Sequence, residues 1–248
     1  MSVEQSRGAA LPSGGSAATS ADGVRMQILA TEHWSLLASR SLGYTDSFNR
    51  ASMFFSVLSG TVIALALIAQ AGRFDTIFFT AALLLLPIVF FVGTVTIARI
   101  GNLNAEDARW VMGMNRIRHA YMEMHPELRQ YFITGDHDDV RGILTTFGIS
   151  APPPGQHFFT DLGHGMQTLP GMLTIMVSVV AGTWAALAVV ALGASQAVGI
   201  ATGAAFFLLT VAANSFFARR AVLGYARSHV AKFPSPVEGD GPTAGPGT

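Results

Sequence analysis

Three stretches of this chain hold no Asp, Glu, Lys or Arg: Ala51–Gly72, Thr76–Ala98 and Leu162–Ala218. The third is long enough for two membrane crossings. A helix crossing the hydrocarbon core of a bilayer takes about 20 apolar residues. The pattern therefore predicts four spans: TM1 at Met53–Ala71, TM2 at Ile77–Ala98, TM3 at Leu169–Leu192 and TM4 at Val198–Phe217. Arg73-Phe74-Asp75 and Gly193–Gln196 are read as the tight turns of two transmembrane hairpins. Pro170 falls in the first turn of TM3, where a missing N–H is tolerated. Pro87 falls in the middle of TM2 and predicts a kink.

Outside these runs the pattern turns amphipathic. Val24–Arg40 reads as a helix with Ile28, Leu29, Trp34, Leu36 and Leu37 as its apolar content. Gly43 is expected to interrupt it, and a second helix from about Thr45 to enter TM1. In the segment 99–168, Asn104 is a candidate N-cap, with Glu106 and Asp107 in the first turn, where the helix dipole favours acids. Leu103, Trp110, Met114, Ile117, Tyr121, Met124 and Leu128 then recur at three- and four-residue spacing as one apolar stripe. Pro126 should end or kink that helix at His125 and start another turn at Glu127. Asp138 or Asp139 is placed to cap a short helix reaching Phe147. Ala151–Gly155, with three prolines, reads as a linker, and Phe158 and Phe159 as interfacial. The tails Met1–Asp22 and Phe233–Thr248 are too poor in apolar residues to offset chain entropy and are expected to be disordered.

The fold class is thus all-α: a polytopic membrane protein with four transmembrane helices in two hairpins plus cytoplasmic amphipathic helices. Its divisions are a tail (1–22), an amphipathic helix (23–50), a first hairpin (51–98), a cytoplasmic helical segment (99–168), a second hairpin (169–217) and a C-terminal tail (218–248).

Charge placement adds an orientation. Of the 15 Lys and Arg residues, only Arg73 falls in a short hairpin turn, and Arg50, Arg99, Arg219 and Arg220 sit at span ends. The positive-inside rule then places both termini and the middle segment in the cytoplasm, with the chain in the cytoplasmic membrane. TM1 would act as an uncleaved insertion signal. The outer face, reduced to two turns, has no residues for an extracellular receptor or catalytic role. A formal net charge of zero gives no field for nucleic acid, and no Cys is present for disulfides or thiolate chemistry.

Candidate chemistry is sparse. Ser52, Ser56, Gly60 and Ala64 recur every four residues in TM1, Thr174, Ser178, Gly182 and Ala186 do so in TM3, and Gly199 and Gly203 form a GxxxG in TM4. Small residues let helices approach closely in lipid. They serve either packing of one bundle or an oligomer that could line a pore. No ionisable residue lies in the core of any span, which argues against an ion-coupled transporter.

Trp110, Met114, Ile117 and Tyr121 are the candidate interaction surface, within the chain or between chains. Arg116 and Arg118, with Arg99 and Arg109 near, are candidates for lipid headgroups or a partner, against a solvated face beside a buried stripe. His157, Asp161 and His164 share one face if helical, and His119 and Glu123 stand four apart. A solvated surface and a helix-surface pair explain these better than metal or acid–base chemistry. The Gly135–Asp139 acidic cluster is better explained by a helix N-terminus than by a metal. No catalytic, cofactor or metal residue is assigned.

From Thr31-Glu32-His33-Trp34 through Asn104–Trp110 to Met114-Asn115-Arg116-Ile117-Arg118, the chain resembles an uncharacterised group of small bacterial four-span integral membrane proteins. That resemblance brings no activity with it. In layout alone, a helical hairpin followed by a cytoplasmic helix is similar to two-helix membrane effectors of bacterial defence systems, which implies oligomeric perforation of membranes. The expected role is a non-enzymatic, membrane-anchored interaction or assembly module. Its expected partners are the bilayer, a second copy of itself or a cytoplasmic protein. An oligomeric pore is the alternative, and a lipid-modifying enzyme is placed below both.

Overall fold

The computed structural model describes residues 14–72, 74–148, 168–228 and 230–236. The fold is all-helical, with no strand among the described residues. Its elements are α1 (Gly14–Gly72), α2 (Thr76–Met124), a 3-10 turn (Pro126–Tyr131), α3 (Val140–Thr146), α4 (Leu169–Ala191) and α5 (Gln196–Ser228). Helices α1, α2, α4 and α5 are each long and apolar enough to cross a membrane. Arg73, His157, Phe158, Phe159, Asp161 and His164 lie outside the described residues, as do the linker Ala151–Gly155 and most of both tails.

Two boundaries differ from the sequence expectation. Helix α1 is one element of 59 residues, running unbroken through Gly43. A Cβ at Gly43 would stand 2.8 Å from Trp110 Cζ3, so the glycine makes room for an indole on α2 rather than ending a helix. Helix α2 is likewise one element of 49 residues. Asn104 therefore lies in a helix interior and caps nothing. Pro87 also lies inside α2 without ending it. At a rise of 1.5 Å per residue, α1 is about 88 Å long and α2 about 74 Å.

The helix ends follow local chemistry. Asp75 caps α2 by accepting the Phe78 N–H at 3.0 Å. Pro126 stops α2 at Met124, with His125 as C-cap. Asp139 caps α3 by accepting the Gly142 N–H at 2.8 Å. Thr168 caps α4, with Pro170 in the first turn. The turn into α5 uses Gly193 at φ +93°, a left-handed conformation that costs a glycine little.

The four long helices pack in a row. Helix α1 packs on α2, α2 on α4, and α4 on α5. In keeping with this order, the apolar stretch of α4 is the most buried (39%) and those of α1 and α5 the least (17% and 11%). Three helices meet where Phe54, Gly93 and Val177 touch. Phe54 and Val177 are fully buried, and a Cβ on Gly93 would collide with both. Helices α4 and α5 approach backbone to backbone: a Cβ on Gly182 would lie 2.7 Å from the Gly203 carbonyl oxygen, and one on Gly203 2.9 Å from that of Gly182. Ser178 is fully buried and donates to the Thr174 carbonyl, and Gly199 sits against Val190 and Ala186. These four small residues thus serve close approach between α4 and α5 or burial at the centre of the row. Ser56 and Gly60 do not: both are exposed, and nothing stands within 4 Å of a Cβ on Gly60.

Candidate functional site

Beyond the apolar stretches, α1 and α2 continue side by side as a two-helix stalk. It is cross-linked by side chains whose partners run antiparallel. Arg40 Nε donates to Asp107 Oδ1 at 2.7 Å, and Tyr44 shares the Asp107 carboxylate. Burial opposes the charge of Arg40, but the hydrogen bond and charge of Asp107 outweigh it and raise its pKa. Asp46 pairs with Arg50 at 3.0 Å and Arg99 at 3.5 Å. Leu36 lies against Gly113 and Trp110 against Gly43. The apolar stripe of α2 is therefore largely consumed inside the chain. Met114 and Ile117 are buried, and Trp110 and Tyr121 are half-buried.

The far end of the stalk carries a polar head, and Asn115 is its hub. Asn115 is fully buried. Its amide nitrogen donates to the carbonyls of His137 (2.7 Å) and Gly142 (3.2 Å). Its amide oxygen accepts from Arg118 Nη1 (2.7 Å) and Thr146 Oγ1 (2.9 Å). All four hydrogen-bonding positions of the amide are filled, and the 135–146 segment is thereby folded onto α2. Arg118, expected to meet lipid or a partner, turns inward instead. It is 9% exposed, and burial, then the charge of Arg40, lowers its pKa. Burial, then the charge of Arg118, lowers the pKa of His33. Arg116 is engaged as well, donating to Asp138 Oδ2 at 2.7 Å.

The residues 230–236 dock on this head, although disorder is expected from Phe233 onward. Two aspartates hold them. Asp138 accepts the backbone N–H groups of Lys232 (2.9 Å) and Phe233 (2.7 Å), and its own N–H donates to the Phe233 carbonyl. Asp139 accepts from the N–H and the hydroxyl of Ser235. For both carboxylates burial works to raise the pKa. For Asp138 it is outweighed by the Lys232, Phe233 and Arg116 hydrogen bonds, for Asp139 by those from Gly142 and Ser235, and both end below the usual range. The Phe233 ring stacks on His119 at 4.1 Å between centroids.

Beneath Phe233 lie His119 from α2 and Asp136 and His137 from the segment before α3. One donor atom from each lies within 4.8 Å of the other two. His119 Nδ1 is 3.8 Å from Asp136 Oδ2, and His137 Nε2 is 3.5 Å from Asp136 Oδ1. His119 Nδ1, Asp136 Oδ2 and His137 Nδ1 are buried and lack a hydrogen-bond partner. On its other side, His119 Nε2 faces Glu123 at 3.7 Å. These are the residues of the head that could hold a metal. The sequence reading paired His119 only with Glu123, because the 3-10 turn that brings Asp136 back to α2 leaves no spacing motif.

Comparison with protein-family models, with curated proteins and with solved structures gives no match.

Proposed function

We propose that this protein is a non-enzymatic, membrane-anchored assembly module whose partner is a second copy of the same chain. In this reading it lies in the cytoplasmic membrane as two transmembrane hairpins, with both termini, stalk and head in the cytoplasm. The placement of arginines at the span ends supports that orientation.

The observation that carries the reading is the outer side of α1. Its stalk portion presents Ile28 (63% exposed), Trp34 (69%), Leu42 (71%) and Phe48 (62%), outside the charge-free run. Ile28, Trp34 and Leu42 stand nine or more residues outside that run, beyond the hydrocarbon in this reading, and a row of exposed large apolar groups there supports an interaction surface. The same helix continues into the span with Ser56 and Gly60 open. Two copies in one bilayer bring both parts into register at once, because the membrane sets them at equal depth. Close approach of the backbones at Gly60 would then accompany apolar contact along the stalk.

The test is the mass of full-length protein in lipid nanodiscs by light scattering. An oligomer that becomes monomeric in both Trp34→Asp and Gly60→Leu is the expected result. A wild-type monomer of 26.2 kDa overturns the reading. A second reading, an oligomeric pore, draws on the serines of the same outer side. Ser52, Ser56 and Ser59 are all exposed, whereas the row of spans is closed by Phe54, Val89, Leu173 and Val177. It predicts conductance from the oligomer in planar bilayers.

A further inference from the structure

We propose that His119, Asp136 and His137 form a site for one divalent metal ion of the zinc class. Two imidazoles and a carboxylate are the donor set such an ion takes, with a fourth position left for water.

Three observations converge on it. The first is spacing. Two donors on a common tetrahedral ion with bonds of about 2.0–2.1 Å lie about 3.3 Å apart. His119 Nδ1 stands 3.8 Å from Asp136 Oδ2 and His137 Nε2 3.5 Å from Asp136 Oδ1, both too long for good hydrogen bonds. One donor atom from each residue lies within 4.8 Å of the other two, so an ion that draws on both carboxylate oxygens, or a turn of the carboxylate, gathers the three.

The second is the unmet polar demand. Buried polar atoms almost always have a partner. Here His119 Nδ1 and the Asp136 Oδ2 that faces it both have none, and Asp136 is only 9% exposed. On His137 the unpartnered atom is Nδ1, the ring nitrogen other than the one that faces Asp136.

The third is support around the donors. Glu123 stands behind the far nitrogen of His119, as carboxylates stand behind metal-bound imidazoles. Asn115 fixes the His137 carbonyl, and Phe233 covers the His119 ring. One group competes: Arg129 Nη2 lies 3.6 Å from Asp136 Oδ2. Its side chain is 64% exposed, so it can turn to solvent as the cation enters. The bound ion would tie α2, the segment before α3 and, through Phe233, the C-terminal residues into one unit.

The experiment uses tag-free, full-length protein in nanodiscs, stripped with a chelator and titrated with Zn2+ against a chromophoric competitor. One ion per chain is expected in the wild type. Affinity should fall at least tenfold in both His119→Gln and Asp136→Asn, and stay unchanged in His125→Gln, an imidazole outside the cluster. Because the first two variants could also loosen the head, X-ray absorption on the zinc-loaded wild type provides a second reading. It should show imidazole scattering with only nitrogen and oxygen neighbours. Absence of stoichiometric uptake, uptake undiminished in Asp136→Asn, or a spectrum without imidazole overturns the proposal.

Discussion

The indole N–H of Trp184 donates to the backbone carbonyl of Leu83 at 3.4 Å. Leu83 stands four residues before Pro87, which has no N–H to offer it. The carbonyl that the proline strands is therefore met by a side chain from α4. In hydrocarbon, where water cannot serve, such a group has to be satisfied from within the protein.

Trp184→Phe should keep most of the packing and lose this bond, destabilising the protein by about 1 kcal/mol. In a Pro87→Ala background, residue 87 supplies its own N–H and the cost of losing Trp184 should shrink. Unfolding free energies of the four variants in mixed micelles form the double-mutant cycle. Additive effects would show that the two sites are not coupled.

The glycines separate by what surrounds them. Gly182→Ala pushes a methyl into the Gly203 backbone, which has no flexible end to yield, and should cost about 1–3 kcal/mol. Gly60→Ala meets nothing within the chain. In a monomeric preparation it should be neutral or stabilising by up to about 1 kcal/mol. Thermal melts in detergent check both, and equal losses at the two positions would contradict the α4–α5 approach.

Asn115→Ala removes four hydrogen bonds at once: the His137 carbonyl loses this donor, the Gly142 carbonyl keeps only Thr146 among side-chain donors, and Arg118 Nη1 keeps only the Gly135 carbonyl at 3.5 Å. A loss of about 2–4 kcal/mol in local stability is expected. Limited proteolysis should then cut within 126–148 while the spans persist. An unchanged cleavage rate would mean that the segment is held by something other than this amide.

The four long apolar helices were legible because a bilayer would impose such a composition, and runs without charge have few other uses. Continuity was not legible. Gly43 reads as a breaker and Asn104 as a cap when each is taken alone. Only the opposing Trp110 explains the glycine, and neighbouring packing overrides the weak preference of the asparagine. Asp139 could be read as a cap because capping is local. The Asn115 hub had one visible signal, an amide between the stripe residues Met114 and Ile117. The members of the His119–Asp136–His137 cluster were visible only apart, two in the acidic run Gly135–Asp139 and one beside Glu123, since they meet only after a turn whose direction the sequence does not state. Docking of 230–236 rests largely on backbone N–H groups, which every sequence carries alike, with the Ser235 hydroxyl and the Phe233 ring added.

Acid should release that docked segment. Asp138 and Asp139 have folded pKa values below their unfolded ones. The stability they contribute is complete above the unfolded value of about 3.9 and is lost as pH falls through the lower folded values. Hydrogen exchange at Lys232, Phe233 and Ser235 should stay slow near neutrality and, after correction for the intrinsic rate, lose protection only below about pH 4. Asp138→Asn should bring the loss forward to neutral pH. Protection indifferent to both would place the anchoring elsewhere.

The uninterrupted length of α2 sets a distance. From Ala98, the last residue of its charge-free run, His119 lies about 30 Å further along the helix axis, at 1.5 Å per residue. A helix tilt of about 20° shortens this by little. The Debye length in physiological salt is about 8 Å. In the proposed orientation, a head at that distance would lie more than a screening length from the leaflet and would meet the pH and metal concentration of bulk solution. In that orientation the stalk would act as an electrostatic insulator and would stand Arg116 and Arg118 away from the headgroups; within the chain they are engaged by Asp138 and Asn115.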